Sequence, residues 1–134
     1  MIGLDTNILA RYLAQDDPKQ SPRATKLIER AIASDEPLFI NHIVLCELAW
    51  VLTRAYGFTR QELTGVFEKI LSAKQFEIED KPAIWAAFAE FKSSKADFAD
   101  CLIGITNMRA GCRSTFSFDQ ATLLLTGFSP VAER

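Results

Sequence analysis

The chain opens Met1-Ile2-Gly3-Leu4-Asp5-Thr6-Asn7-Ile8-Leu9-Ala10-Arg11-Tyr12-Leu13. Met1 to Leu4 is a short apolar run stopped by Asp5, which reads as a buried strand. Thr6 to Ala14 reads as a helix, and Asp16-Asp17-Pro18 ends it because proline cannot continue the hydrogen-bond ladder. A strand that ends on a carboxylate and turns straight into a helix is the building unit of an α/β fold. The carboxylate then lies at the carboxyl end of a strand, where such folds gather their ligands.

The same alternation continues outward from this start. Ala24, Leu27, Ile28, Ala31 and Ile32 recur at helical spacing within 21–34, with Ser21-Pro22 as the start signal. Residues 37–40 predict a second strand. Asn41 predicts the cap of a helix over 43–56, which Gly57 ends. Thr59 with Glu62 three residues on is a capping-box pattern for a helix over 59–71. Residues 76–78 predict a third strand, 82–91 a helix broken by Ser93-Ser94, and 97–110 a helix stopped at Gly111. Residues 114–118 predict a fourth strand, followed by Asp119 and a short helix through Leu125. Residues 128–131 predict an edge strand carrying Pro130. Short strands separated by helices imply a mostly parallel sheet with helices on both faces.

Bulk properties narrow the function classes. The 134 residues are the usual size of one domain, so 1–134 is read as a single domain, and the 49% apolar content supports a core. The net charge of -2 excludes a strongly basic nucleic-acid clamp, but not a nuclease, which needs acids. Cys46, Cys101 and Cys112 match no zinc spacing and are each read as a small buried hydrophobe in a reduced, cytoplasmic protein. The start has no signal-peptide pattern, and no apolar run approaches the ~18 residues of a membrane span.

Of the seventeen acids, most fall on polar helix faces or loops. Four or five resist that explanation. Glu47 has Ile43, Val44, Trp50 and Val51 at three and four residues along its helix, so its carboxylate is expected to be partly buried, which is costly without a cation, a proton or hydrogen bonds. Asp97 and Asp100, three apart, share a face that Gly104 and Asn107 continue, while Phe98, Cys101, Leu102 and Ile105 form the buried face. Asp5 and Asp119 each follow a strand. Capping of a helix is the plain alternative for Asp5, Asp97 and Asp119. If Asp5, Glu47, Asp100 and Asp119 converge, their repulsion requires a proton or a cation. All-oxygen ligands favour Mg²⁺ or Mn²⁺. The lone His42 is read as a capping or surface residue, and no nucleophile motif or phosphate-cradling glycine loop appears. The remaining chemistry is metal-activated water acting on a phosphodiester.

These stretches also carry a resemblance. The opening 1–13 is similar to the start of PIN-domain proteins of the VapC toxin family. Leu45-Cys46-Glu47-Leu48-Ala49-Trp50-Val51-Leu52 resembles that family's glutamate helix. Ala96-Asp97-Phe98-Ala99-Asp100-Cys101-Leu102-Ile103 resembles its third acidic motif, and Thr115-Phe116-Ser117-Phe118-Asp119 its last. Ser117 is a departure there, since related sequences often run directly from Thr-Phe to Asp. The four motifs stand in family order over nearly the whole chain.

The resemblance implies a PIN-like three-layer α/β/α fold and a Mg²⁺- or Mn²⁺-dependent endoribonuclease. It also implies a toxin neutralised by a cognate antitoxin, usually as a homodimer. Asp5 and Asp100 would be the principal metal ligands, with Glu47, Asp119 and Asp97 supporting, and Thr6 and Asn7 holding the first acid in place. Arg11, Lys92, Lys95, Arg109 and Arg113 are candidates for phosphate contacts, against solvated surface as the plainer reading. Two other functions remain open. A PIN-like module without catalysis would bind partners through the helices 22–32 and 59–71. A phosphatase would use Asp5 as a covalent nucleophile, although Asn7 stands where its second acid belongs.

Overall fold

The computed structural model of the chain describes residues 1–132. These residues form two compact units, the first Met1–Glu79 and the second beginning at Asp80.

The first unit holds β1 (Ile2–Gly3), α1 (Thr6–Ala14), α2 (Gln20–Ala33), β2 (Leu38–Ile40), α3 (His42–Arg54), α4 (Arg60–Ser72) and β3 (Phe76–Ile78). Its three strands pair in sequence order, all parallel, with Ile2 opposite Leu38 and Leu38 opposite Phe76. Parallel neighbours need crossovers, and the helices supply them. Leu9, Ile28, Leu38, Ile40, Leu45, Leu48, Leu52 and Phe67 are fully buried. Each such side chain contributes about 1.5–3 kcal/mol by leaving water.

The caps follow the local chemistry. Asp5 Oδ1 accepts from the Ile8 amide and starts α1, while Gln15 ends it in a left-handed conformation (φ 52°). Asn41 caps α3 by accepting from the Val44 amide, and Thr59 and Glu62 complete their capping box on α4. The box holds the Glu62 carboxyl below its ordinary range through the Thr59 amide and hydroxyl. Helix α2 begins one residue before the predicted start, at Gln20. Its cap comes from Asp17, whose carboxylate accepts from the Lys19 and Gln20 amides.

The second unit holds α5 (Lys81–Lys92), α6 (Phe98–Arg109), β4 (Thr115–Ser117), a 3-10 turn (Thr122–Leu124) and β5 (Phe128–Pro130). Helices α5 and α6 pack on each other, with Phe88, Phe91 and Phe98 buried and the last two rings edge-to-face. The predicted buried face of α6 is buried at all four positions. Strands β4 and β5 form their own parallel pair, Thr115 opposite Phe128, and Pro130 terminates it as an edge residue without an N–H. The chain thus has a three-stranded and a two-stranded sheet, and every ladder is parallel.

The reading of the cysteines as uniformly buried is corrected. Cys101 is buried, Cys46 is half-buried with its thiol pushed up by burial, and Cys112 is exposed. Cys112 lies between Gly111 and Arg113 in the turn after α6, where no apolar side chain adjoins it in sequence.

Candidate active site

In the first unit, Asp5 and Glu47 come from different elements. Asp5 is the N-cap of α1 and Glu47 lies in the second turn of α3. The Thr6 hydroxyl donates to Glu47 Oε1 at 2.9 Å. One threonine, adjacent to Asp5 in the chain, therefore orients the second acid. The capping role of Asp5 uses Oδ1 alone, and Oδ2 has no hydrogen bond among the described residues. Capping and ligation do not compete for the same atom.

The expectation that Glu47 is partly buried is corrected: the residue is exposed. Two of its apolar neighbours themselves face outward, Ile43 at 70% and Trp50 at 61% exposure. An apolar stripe predicts burial only if another element covers it. Arg54, further along the same helix, lies over the Trp50 ring. Asn7 donates to Gln20 Oε1 on α2 at 3.3 Å and does not hold Asp5.

In the second unit, Asp97 is the N-cap residue of α6, but its side chain makes no capping hydrogen bond. The simple capping explanation for Asp97 therefore fails. Asp100, one turn on, is half-buried, and its carboxyl is pushed above its ordinary range by burial, then by the charges of Asp97 and Asp119. Its environment disfavours its own charged form and would favour a cation beside it.

Asp119 sits in a short hydroxyl-rich turn. The Ala121 amide donates to Asp119 Oδ1, and the Asp119 amide donates to Ser117 Oγ. Buried Thr122 donates from its hydroxyl to both Ser117 Oγ and the Asp119 carbonyl. Ser117, the departure from the family pattern, is thus a support of the Asp119 turn.

Gly104 and Asn107 continue the Asp97–Asp100 face as expected, but they serve packing. A Cβ on Gly104 would lie 2.4 Å from the Phe128 ring, and Asn107 donates to the Thr115 hydroxyl. His42 is structural, as read: its amide donates to the Glu79 carboxylate, and its ring contacts the Glu79 carbonyl. Glu79, one of the acids left out of the candidate set, thus holds the start of α3.

Of the candidate phosphate contacts, Arg109 is engaged in a two-pronged ion pair with Asp80, and Lys92 lies over the Phe88 ring. Neither is a spare cation. Asp80 itself escaped the sequence reading. Its left-handed conformation (φ 41°) carries no sequence signal beyond an acid before Lys81-Pro82.

Residues 2–124 match the PIN domain, and the chain belongs to that family. It is similar to a VapC ribonuclease of Aquifex aeolicus (strain VF5), 29% identical over 115 residues that span 86% of this chain and 84% of the relative. The resemblance read from the four acidic motifs holds, and so does the α/β class it implied.

A divalent metal fits the donor chemistry of these acids. Asp5, Glu47, Asp97, Asp100 and Asp119 offer only oxygen, and the repulsion at Asp100 is the kind a cation relieves. Among the described residues, no three His, Cys, Asp or Glu side chains are gathered closely enough to form a ready-made metal site. No helix of the described residues is long and apolar enough to cross a membrane.

Proposed function

We propose that this chain is a Mg²⁺- or Mn²⁺-dependent endoribonuclease and the toxin of a toxin–antitoxin pair. The observation that carries the reading is the PIN-domain match over residues 2–124, within which Asp100 is half-buried and its charged form is disfavoured by burial and by Asp97 and Asp119. The similarity to a protein named VapC ribonuclease supports RNA as the substrate class. A cognate antitoxin, a homodimer and a cytoplasmic location belong to the same proposal.

Asp5 and Asp100 are the principal ligands in this reading, with Asp97 and Asp119 supporting. When bound, the cation supplies a more acidic water and positive charge for the phosphodiester oxygens. Asp5 offers Oδ2, because Oδ1 is held by the Ile8 amide. Thr6 anchors Glu47 through Oε1 and leaves Oε2 to orient the attacking water and take its proton. The Ser117–Thr122 hydroxyl pair holds the Asp119 turn in one conformation.

The test is cleavage of single-stranded RNA by the purified chain with Mg²⁺ or Mn²⁺ against the same reaction in chelator. Loss of a support around a metal costs 10–100-fold, so removing a ligand is expected to cost at least about 100-fold. Asp5→Asn and Asp100→Asn should each do so. Full divalent-dependent cleavage by both variants would refute the assignment, and no cleavage by the parent chain would favour a non-catalytic binding module.

A further inference from the structure

Helices α1 and α2 enclose a cleft of about 390 Å³ that the acid set does not use. It is lined by Asn7, Ile8, Arg11, Gln20, Arg23 and Leu27, with Ala24 at its floor. No acid lines it, while two arginines do. Its volume is at the small end of the range for ligand sites, the scale of a single nucleotide.

The walls are fixed. Ser21, buried at the start of α2, donates from Oγ to the Arg11 carbonyl at 2.8 Å and accepts from the Asp17 amide. Arg11 donates from Nε to Gln20 Oε1 at 2.8 Å, and from one Nη to Tyr56 Oη and the Asp16 carboxylate. Its other Nη has no acceptor among the described residues. Because Arg11 Nε and Asn7 Nδ2 both donate to Gln20, the oxygen of that amide is assigned, and its NH₂ remains a donor without an acceptor. Asp16 offsets part of the Arg11 charge at 3.3 Å. Arg23 is exposed and has no ion pair or hydrogen bond of its side chain among the described residues. The cleft therefore presents hydrogen-bond donors and one uncompensated positive charge beside an apolar surface of Ile8 and Leu27. That combination suits a phosphate with its attached sugar or base.

The position supplies the link to chemistry. Ile8, which lines the cleft, is the residue whose amide holds Asp5 Oδ1 at 3.0 Å. We propose that the α1–α2 cleft seats a phosphate of the RNA strand neighbouring the cleaved bond, with Arg23 as its exposed contact and Arg11 as the one held by Gln20, Tyr56 and Asp16. The proposal rests on the ribonuclease reading above.

The test measures binding of a fluorescein-labelled single-stranded RNA 12-mer by anisotropy in chelator, where no cleavage occurs, across a series of salt concentrations. Arg23→Ala is compared with the parent and with Arg30→Ala, an exposed arginine of the same helix outside the cleft. Loss of one exposed phosphate contact predicts affinity weakened about fivefold. The slope of log K against log salt should become shallower by about 0.7 in Arg23→Ala. Arg30→Ala should leave both unchanged. Equal affinity and slope in Arg23→Ala and the parent overturn the cleft assignment while leaving the ribonuclease reading intact if the parent cleaves RNA. A parent that neither binds nor cleaves RNA overturns both. Weakened binding of an acidic peptide, with RNA binding unchanged, would give the cleft to a protein partner and overturn the proposal.

Discussion

Asp100 shows how the surroundings of a single carboxyl tie stability to pH. Its carboxyl is raised above the ordinary 3.8 by burial and by Asp97 and Asp119. In the folded state it holds its proton to a higher pH than in the unfolded state, so the native form binds more protons in that interval. Stability therefore falls as pH rises from the unfolded value near 3.8 through the raised folded value, and the penalty is complete above it. Asp100→Asn removes the penalty. In chelator, the variant should melt at a higher temperature than the parent at pH 7, and this advantage should shrink as pH falls through the raised folded value and be gone below the unfolded value near 3.8. A melting curve that is lower for the variant at pH 7 would show that hydrogen bonds to the carboxylate outweigh the repulsion. At the same scale, the candidate acids could be picked out by their sequence context, but their surroundings could not. Glu47 lies on an apolar stripe and is nevertheless exposed, because Ile43 and Trp50 are left uncovered.

At the scale of elements, local chemistry sets the boundaries. Helix α1 and strand β3 occupy the predicted residues, because Asp5 supplies the cap and the strand is bounded by polar turns. The start of α2 moved to Gln20 because Asp17 reaches across two residues to hold its amides, a support that outranks Ser21-Pro22. Ser21 is instead buried and tied to Arg11. In the second unit the critical element contact is α6 against β5. Gly104 is one turn beyond Asp100, and its missing side chain makes room for the Phe128 ring. Gly104→Ala gains helix propensity of about 1 kcal/mol but forces overpacking of about 1–3 kcal/mol. The expected outcome is a net loss of stability in a denaturant midpoint. Gly104→Ala with Phe128→Leu should recover part of it. An unchanged or raised midpoint for Gly104→Ala would mean that the ring swings aside without cost.

For the whole molecule, the ribonuclease reading requires that a divalent cation bind the native chain through its candidate acids. Ligand binding to the native state alone raises the melting temperature by mass action. Mn²⁺ should therefore stabilise the parent chain in a concentration-dependent way, and Asp5→Asn and Asp100→Asn should each reduce the shift. An equal shift in the parent and both variants would place the ion elsewhere.

The sequence by itself determined the alternation of strand and helix, the caps of α1, α3 and α4, the buried face of α6 and the identity of the candidate acids. All of these depend on residues within about one helical turn of each other, where spacing and side-chain chemistry suffice. Only the tertiary structure decided which apolar faces are covered, that Arg109 is engaged by Asp80, that Thr6 orients Glu47, and that α1 and α2 frame a donor-lined cleft. Thr6 and Glu47 are 41 residues apart, and Asp80 and Arg109 are 29 apart. Contacts at such separations depend on how the chain closes on itself. Local spacing carries no information about that closure.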